Sequence, residues 1–316
     1  MISRVVVLTG ASSGIGRAAA LAFAARGERL VLCARGRAGL DRVAQRCRAA
    51  GAADVLVVPA DVGVAAEVAE VAGAAVGAFG RIDVWVDTAA VMAYGRFEDI
   101  PAEVFDRTVV TDLLGTANVA RVALREFRRR GSGVLILTGS LLGGITAPYM
   151  SAYVTAKWGH RGLARTLQQE TRDAPGIHVC LLSPGSVDTS IYTSAANYAG
   201  FAGRPPPPVD PPERLAAAIV RLADRPRAKL SVGLTNGVIR FGYAALPPVY
   251  DALIGPMMRR LALSRRATPP GPGNVFEARP RVEGGPGRWG RGAVLGAVAA
   301  AAAVTAGTAA RALTSR

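Results

Sequence analysis

Cysteine, lysine and aromatic residues are all scarce in this chain of 316 residues. The three cysteines, Cys33, Cys47 and Cys180, are odd in number and have neither metal-binding nor redox spacing, so no metal site is predicted. Cys33 and Cys180 lie in apolar runs, which indicates buried free thiols in a reducing compartment. The first apolar run, residues 5–8, is too short for a signal-peptide core. We therefore expect a cytoplasmic globular body.

The formal net charge of +15 raises the question of nucleic-acid binding. Most basic residues are single arginines, and aromatic residues, only 6% of the chain, form no interleaved platform. The densest basic cluster, at residues 121–130, ends a predicted helix, where cations suit the negative end of the helix dipole. The sequence therefore predicts no nucleic-acid partner.

A glycine-rich turn follows the first apolar run. Residues 5–8 read VVVL, residues 9–16 read TGASSGIG, and an alanine-rich helix is predicted next. A short apolar run bounded by glycine is typical of a buried parallel strand. Glycines allow close backbone approach, and the helix N-terminus presents free N–H groups to an anion. The pattern predicts a site for a dinucleotide pyrophosphate, formed by Gly10, Ser12, Ser13, Gly14, Ile15 and Gly16.

A second motif pairs a phenol with an amine. Tyr153 and Lys157 are four positions apart, which places both side chains on one face of a helix. A nearby cation favours phenolate and lowers the tyrosine pKa from its usual value of about 10 toward neutrality. Lys157 is one of only two lysines among 38 basic residues. Ser140 follows the apolar run at 134–137, a predicted strand, so its hydroxyl can reach the same point.

With both motifs present, residues 3–240 resemble the classical short-chain dehydrogenase/reductase family. The resemblance implies an α/β fold, a single domain with a doubly wound parallel sheet of the Rossmann type, followed here by a C-terminal helical extension. It also implies hydride transfer between a nicotinamide and a carbonyl or alcohol carbon. Tyr153 would then be the acid–base residue, Lys157 would tune it, and Ser140 would polarise the carbonyl. The further cofactor contacts that it implies are Asp61, Val62, Ala89, Pro184, Gly185, Val187 and Thr189.

Three positions depart from the family pattern. Asp87 replaces the first asparagine after the fourth strand and can accept but not donate hydrogen bonds, and Ala90 replaces the glycine of the same motif. Asp112 stands in place of the asparagine of the catalytic tetrad, whose main chain helps to hold a relay water. We retain Asp112 as an altered relay residue. The departures leave open an alternative, a non-catalytic NADP-binding sensor or scaffold of the same fold.

The residues after the second predicted strand indicate which cofactor binds. NAD-binding proteins usually carry an acidic residue at that strand end, which hydrogen-bonds the ribose 2′-hydroxyl. Here the chain has Arg35, with Arg37 nearby, and these cations can pair with the 2′-phosphate of NADP. NADP is therefore the predicted cofactor, with NAD as the weaker alternative.

The predicted substrate walls are apolar. They comprise residues 143–150 and the segment 191–208, which reads as a mobile lid with an apolar inner face. The expected substrate is therefore an apolar or lipid-like carbonyl or alcohol. A homo-oligomer is expected from the family resemblance.

The C-terminal part is strongly basic, with ten arginines against three acidic residues over 241–316. We divide it into a lid or helical extension (241–267), a Pro/Gly/Arg-rich linker (268–291) and an alanine-rich helix (292–311). The nineteen uncharged residues 292–310 can just span a bilayer, but their alanine and glycine content makes insertion marginal. A membrane anchor, an interfacial or partner-docking helix and a loose tail remain alternatives.

Overall fold

A computed structural model describes residues 3–278 of the chain. Its centre is a parallel sheet of seven strands in the order β7-β6-β5-β4-β1-β2-β3. This is the doubly wound arrangement, so the predicted fold class is confirmed. The strands are β1 (Val5–Thr9), β2 (Arg29–Ala34), β3 (Asp54–Pro59), β4 (Val84–Asp87), β5 (Gly133–Thr138), β6 (Ile177–Pro184) and β7 (Lys229–Val232).

Helices cover both faces of the sheet. They are α1 (Gly14–Ala24), α2 (Arg37–Ala49), α3 (Ala65–Phe79), α4 (Ala102–Val109), α5 (Gly115–Arg130), α6 (Ser151–Glu170), α7 (Pro212–Asp224), α8 (Asn236–Ala245) and α9 (Pro247–Met257). Successive strand residues point to opposite faces. Val6 and Leu8 thus pack with α1, α2 and α7, whereas Val7 packs with α3 and α5. Apolar burial on both sides explains why the strands are almost continuously hydrophobic.

A π-helical segment, Val110–Leu114, joins α4 to α5. Such segments are rare and occur frequently at functional sites. This one carries Asp112, whose side chain is fully buried.

The C-terminal part begins with α8 and α9, which are followed by a π-helical turn at Met258–Ala262 and a strand at Leu263–Ala267. That strand pairs in antiparallel fashion with Phe201–Gly203. Residues 268–278, which the sequence analysis places in the linker, also pack against the body, and we call them the strap. Val275 of the strap is fully buried, because it fills an apolar cluster with Val91 and Val104.

The rest of the predicted linker and the alanine-rich helix 292–311 lie outside the described residues. Within residues 3–278, no helix combines the length and the apolar character that crossing a bilayer requires. The three alternatives for the tail therefore stay open.

Candidate active site

The glycine-rich turn sits at the carboxyl end of β1 and leads into α1. Gly10 has a φ of +75°, and a Cβ there would lie 2.7 Å from the backbone of Ala89. A Cβ on Gly16 would lie 2.4 Å from the carbonyl oxygen of Gly10. The turn is therefore possible only with glycine at these two positions. No side chain caps α1 and no acidic residue lies in its first turn, so its N–H groups are available to an anion.

Two adjoining cavities open along the carboxyl edge of the sheet. The larger, of about 440 Å³, is lined by the catalytic and nicotinamide-side residues predicted from sequence. The smaller, of about 150 Å³, is lined by the predicted adenosine-side residues. Predicted residues in the larger cavity are Gly10, Ser13, Gly14, Ile15, Gly16, Ser140, Tyr153, Lys157, Pro184, Gly185, Val187 and Thr189. Those in the smaller cavity are Gly10, Ser12, Ser13, Arg35, Asp61, Val62 and Ala89.

Ser140, Tyr153 and Lys157 line the larger cavity together. Tyr153 and Lys157 are one turn apart on α6, and the Lys157 Nζ lies 5.3 Å from the centre of the Tyr153 ring. Ser140 follows β5, and its Oγ accepts a hydrogen bond from the Leu142 N–H at 3.1 Å. Lys157 is 1% exposed, and its Nζ lies 3.4 Å from the carbonyl oxygen of Thr138. The three side chains therefore converge on the wall of one cavity.

Asp112 does not line either cavity and lies behind Lys157. Its Oδ2 is 3.6 Å from the Lys157 Nζ, and its Oδ1 accepts a hydrogen bond from the Val91 N–H at 2.8 Å. Burial raises the pKa of Asp112 to about 6, although Lys157 and the Val91 N–H oppose the rise. The carboxyl is thus a buried counter-ion of the lysine at neutral pH. An asparagine at this position would carry no charge.

This ion pair changes the electrostatics of the phenol. Burial raises the pKa of Tyr153, the charge of Asp112 raises it further, and interaction with the Ser140 hydroxyl lowers it. The sequence-based expectation that Lys157 lowers this pKa depends on the full lysine charge. Because Asp112 pairs with that charge, the phenol is held in its protonated, proton-donating form.

Asp87, the other substituted asparagine, accepts hydrogen bonds as predicted. Its carboxylate binds the hydroxyls of Thr9 and Thr116 at 2.7 and 2.8 Å and the Ala89 N–H at 3.3 Å. It therefore ties β1, β4 and α5 together. His160 lies beside this network, 3.4 Å from the Thr116 hydroxyl, and burial lowers its pKa to about 3. His160 has no motif around it, so its place in this network could not be predicted from the sequence.

Arg35 lies at the end of β2 and faces the smaller cavity, as the NADP prediction requires. Its guanidinium also holds the strap, donating to the carbonyl oxygens of Asn274, Val275 and Phe276 at 2.5 to 3.0 Å. Asn274 lines both cavities, so the strap crosses the cleft where they meet. This contact was missed because a Pro/Gly-rich sequence gives no periodic signal.

Asp61 lies at the rim of the smaller cavity, where it forms an ion pair with Arg107. Its Oδ1 also accepts a hydrogen bond from the Gly63 N–H at 2.9 Å. These contacts fix the carboxylate against the turn that follows β3.

The far wall of the larger cavity is apolar. Ile145, Met150, Ile191 and Tyr192, from the two predicted wall segments, line it. Further lining residues could not be predicted, since their positions form no motif in the sequence: Met92, Tyr94, Ile239, Leu253, Ile254 and Met257. Tyr94 is fully buried, and its hydroxyl has no hydrogen-bond partner among the described residues.

The chain is similar to known proteins. Residues 4–198 match the family model for short chain dehydrogenase. An uncharacterized oxidoreductase, YxnA, of Bacillus subtilis (strain 168) is 31% identical over 274 residues, which are 84% of this chain and 76% of that protein.

Two solved structures are also similar. An alcohol dehydrogenase from the archaeon Thermococcus sibiricus, complexed with 5-hydroxy-NADP, has a TM-score of 0.64 and 30% identity, covering 73% of this chain and 96% of that chain. A short-chain dehydrogenase/reductase from Burkholderia phymatum, in complex with NAD, has a TM-score of 0.58 and 33% identity, covering 60% and 68%. The chain belongs to the short-chain dehydrogenase/reductase family.

Proposed function

We propose that this oxidoreductase uses NADP to interconvert an apolar carbonyl compound and its alcohol by a Ser140–Tyr153–Lys157 mechanism. The observation that carries the proposal is that these three side chains line the same cavity as the glycine-rich turn. A structural role for the trio would not require a hydroxyl, a phenol and a buried amine to share one cleft with an anion-binding helix end. The same convergence disfavours the non-catalytic alternative.

The cleft has features that suit a nicotinamide dinucleotide. The glycine cradle and the uncapped start of α1 would hold the pyrophosphate, and Val187 and Thr189 would lie beside the nicotinamide. When bound, the nicotinamide supplies or accepts a hydride. Arg35 supports NADP over NAD, because three of its five N–H donors bind the strap and two remain for a 2′-phosphate. The relatives solved with NADP-type and NAD cofactors are compatible with either choice.

The protein's own groups handle the proton. During reduction, Tyr153 donates its phenolic proton to the substrate oxygen, and during oxidation it takes that proton back. The Ser140 hydroxyl donates a hydrogen bond to the same oxygen and so stabilises developing negative charge. Lys157 stabilises the phenolate that remains after donation, and Asp112 limits that effect. This balance keeps the phenol protonated, ready to donate, at neutral pH.

The cavity supports an apolar substrate. Its far wall is formed by methionine, isoleucine, leucine and aromatic side chains. Tyr94 belongs to this wall, and its hydroxyl is buried, so the residue adds mainly apolar ring surface.

A panel assay tests the proposal. The purified protein is mixed with NADPH or NADH and with long-chain, steroid-like or sugar carbonyl compounds, and the loss of reduced-cofactor absorbance is recorded. We expect turnover of apolar carbonyls with a preference for NADPH. Preference for sugars would contradict the substrate class, and preference for NADH would contradict the role of Arg35. NADPH binding without consumption by any carbonyl would support the sensor alternative.

A further inference from the structure

Among residues 3–278, nothing covers an apolar surface on helices α8 and α9. Val238 and Phe241 are three positions apart on α8 and so share one side of it, and Leu234 lies in the turn just before the helix; the three are 67 to 74% exposed. Leu246, Val249 and Met257 continue this surface along α9 and are 42 to 49% exposed. No side chain of α9 is fully buried, although the helix is mostly apolar. We call these six residues the α8–α9 surface. An exposed cluster of this kind marks an interaction site.

The surface surrounds the mouth of the larger cavity. Leu246, Val249 and Met257 are exposed and also line that cavity. Behind them, Leu253 and Ile254 continue the apolar lining inward to the wall that carries Tyr153. An apolar lining therefore runs from the α8–α9 surface toward the acid–base residue.

Exposed arginines follow the α8–α9 surface along the chain. Arg259, Arg260, Arg265 and Arg266 follow α9 and are all exposed. Among residues 3–278, none of these four forms an ion pair. The acidic residue on α9 is Asp251. An apolar helix face next to uncompensated cations is the pattern of a protein that lies on an anionic membrane.

We propose that the α8–α9 surface docks the protein on an anionic lipid bilayer, so that lipid-like substrates enter the cavity directly from the bilayer. A second copy of the chain is disfavoured, because pairing two such surfaces would bring like charges together. The substrate route rests on the proposed function, whereas docking does not.

A single fluorescent reporter tests docking in the full-length protein. The native cysteines Cys33, Cys47 and Cys180 are all buried, so a nitrobenzoxadiazole label can be directed to Phe241→Cys. Phe97→Cys is the matched control, because Phe97 is 68% exposed and Phe241 is 67% exposed. Vesicles contain equal parts of phosphatidylcholine and phosphatidylglycerol, or phosphatidylcholine alone.

We expect the emission of the label at Phe241→Cys to shift to shorter wavelength on mixed vesicles, with no shift for Phe97→Cys. Omitting phosphatidylglycerol should weaken binding by about tenfold or more. Three results would overturn docking: no shift at Phe241→Cys, an equal shift at both labels, or a short-wavelength emission at Phe241→Cys before vesicles are added. The last result would mean that the chain itself or a second copy covers the surface.

A double variant tests the substrate route. Val238→Ser with Phe241→Ser removes two apolar groups that do not line the cavity. We expect KM for a long-chain carbonyl in mixed vesicles to rise about tenfold or more, with unchanged turnover of a short water-soluble carbonyl. An unchanged KM in vesicles would refute the route. If neither compound is reduced by the wild type, the proposed function fails while the fluorescence result still decides docking.

Discussion

Replacing Asp112 by asparagine should move the pH dependence of oxidation to lower pH. In the wild-type protein the Asp112 carboxylate lies 3.6 Å from the Lys157 Nζ. At an effective dielectric constant of about 20, this attraction amounts to about 5 kcal/mol. The negative charge of Asp112 therefore offsets most of the electrostatic effect of Lys157 on the Tyr153 phenol. Asp112→Asn removes the counter-charge and exposes Tyr153 to the full cation.

The size of the shift follows from the geometry. The Lys157 Nζ lies 5.3 Å from the centre of the Tyr153 ring. A unit charge at that distance acts with about 3 kcal/mol at a dielectric constant of about 20, or roughly two pKa units as an upper limit. In alcohol oxidation, kcat/KM rises with pH as Tyr153 loses its proton. We therefore expect the pH of this rise to fall by about one to two pH units.

The assay is the pH profile of NADP reduction with an alcohol that the enzyme oxidises. Asp83→Asn is the control, because Asp83 lies at the amino end of β4, away from the cleft at the carboxyl ends of the strands. Its carboxylate binds Arg81 and the Val5 N–H. This variant should leave the pH of the rise unchanged. A fall in rate without a shift would mean that Asp112 is only structural, and a shift to higher pH would refute the electrostatic reasoning.

Three further predictions concern the cofactor cleft and the glycine turn. Arg35→Ala should weaken NADPH binding about tenfold more than NADH binding, because the charged hydrogen bond to the phosphate is lost only for NADPH, whereas the loss of the strap contacts affects both cofactors. Equal losses in fluorescence titrations would contradict this. Val275→Asp places a charge in a fully buried apolar cluster and should therefore release the strap. We expect stopped-flow measurements to show faster NADPH dissociation. An unchanged dissociation rate would mean that the strap does not cover the cofactor. Gly10→Ala should lower the free energy of unfolding by at least about 1 kcal/mol, because its φ is +75°. Gly77 is exposed on α3, and a Cβ there would have no atom within 4 Å. Gly77→Ala is therefore the control and should raise the free energy of unfolding by about 0.5–1 kcal/mol in urea titrations. Changes of the same sign in both glycine variants would contradict the backbone argument.

Much of the fold and site could be predicted from local patterns. The glycine-rich turn after an apolar run defines a strand, a turn and a helix start within a few residues. Tyr153 and Lys157 needed only the periodicity of one helix. Ser140 needed only its place after a strand. In each case the spacing along the chain already determines the spacing in the structure.

The rest depends on contacts between distant segments. The strap could not be predicted, because Val275 is held by an apolar cluster from four other segments and Arg35 is more than two hundred residues away in the chain. The position of Asp112 was predicted, but its ion pair with Lys157 depends on how the π-helical turn packs against α6. The apolar path through α9 likewise depends on tertiary packing, since its residues show no motif.

The most direct test of the central claim is turnover by Tyr153→Phe, measured with the best carbonyl substrate and NADPH. We predict that kcat falls by at least about a hundredfold, because the phenyl ring has no proton to give, while the Kd for NADPH stays unchanged. Retention of most of the turnover by a variant that binds NADPH normally would contradict the assignment of Tyr153 as the acid–base residue.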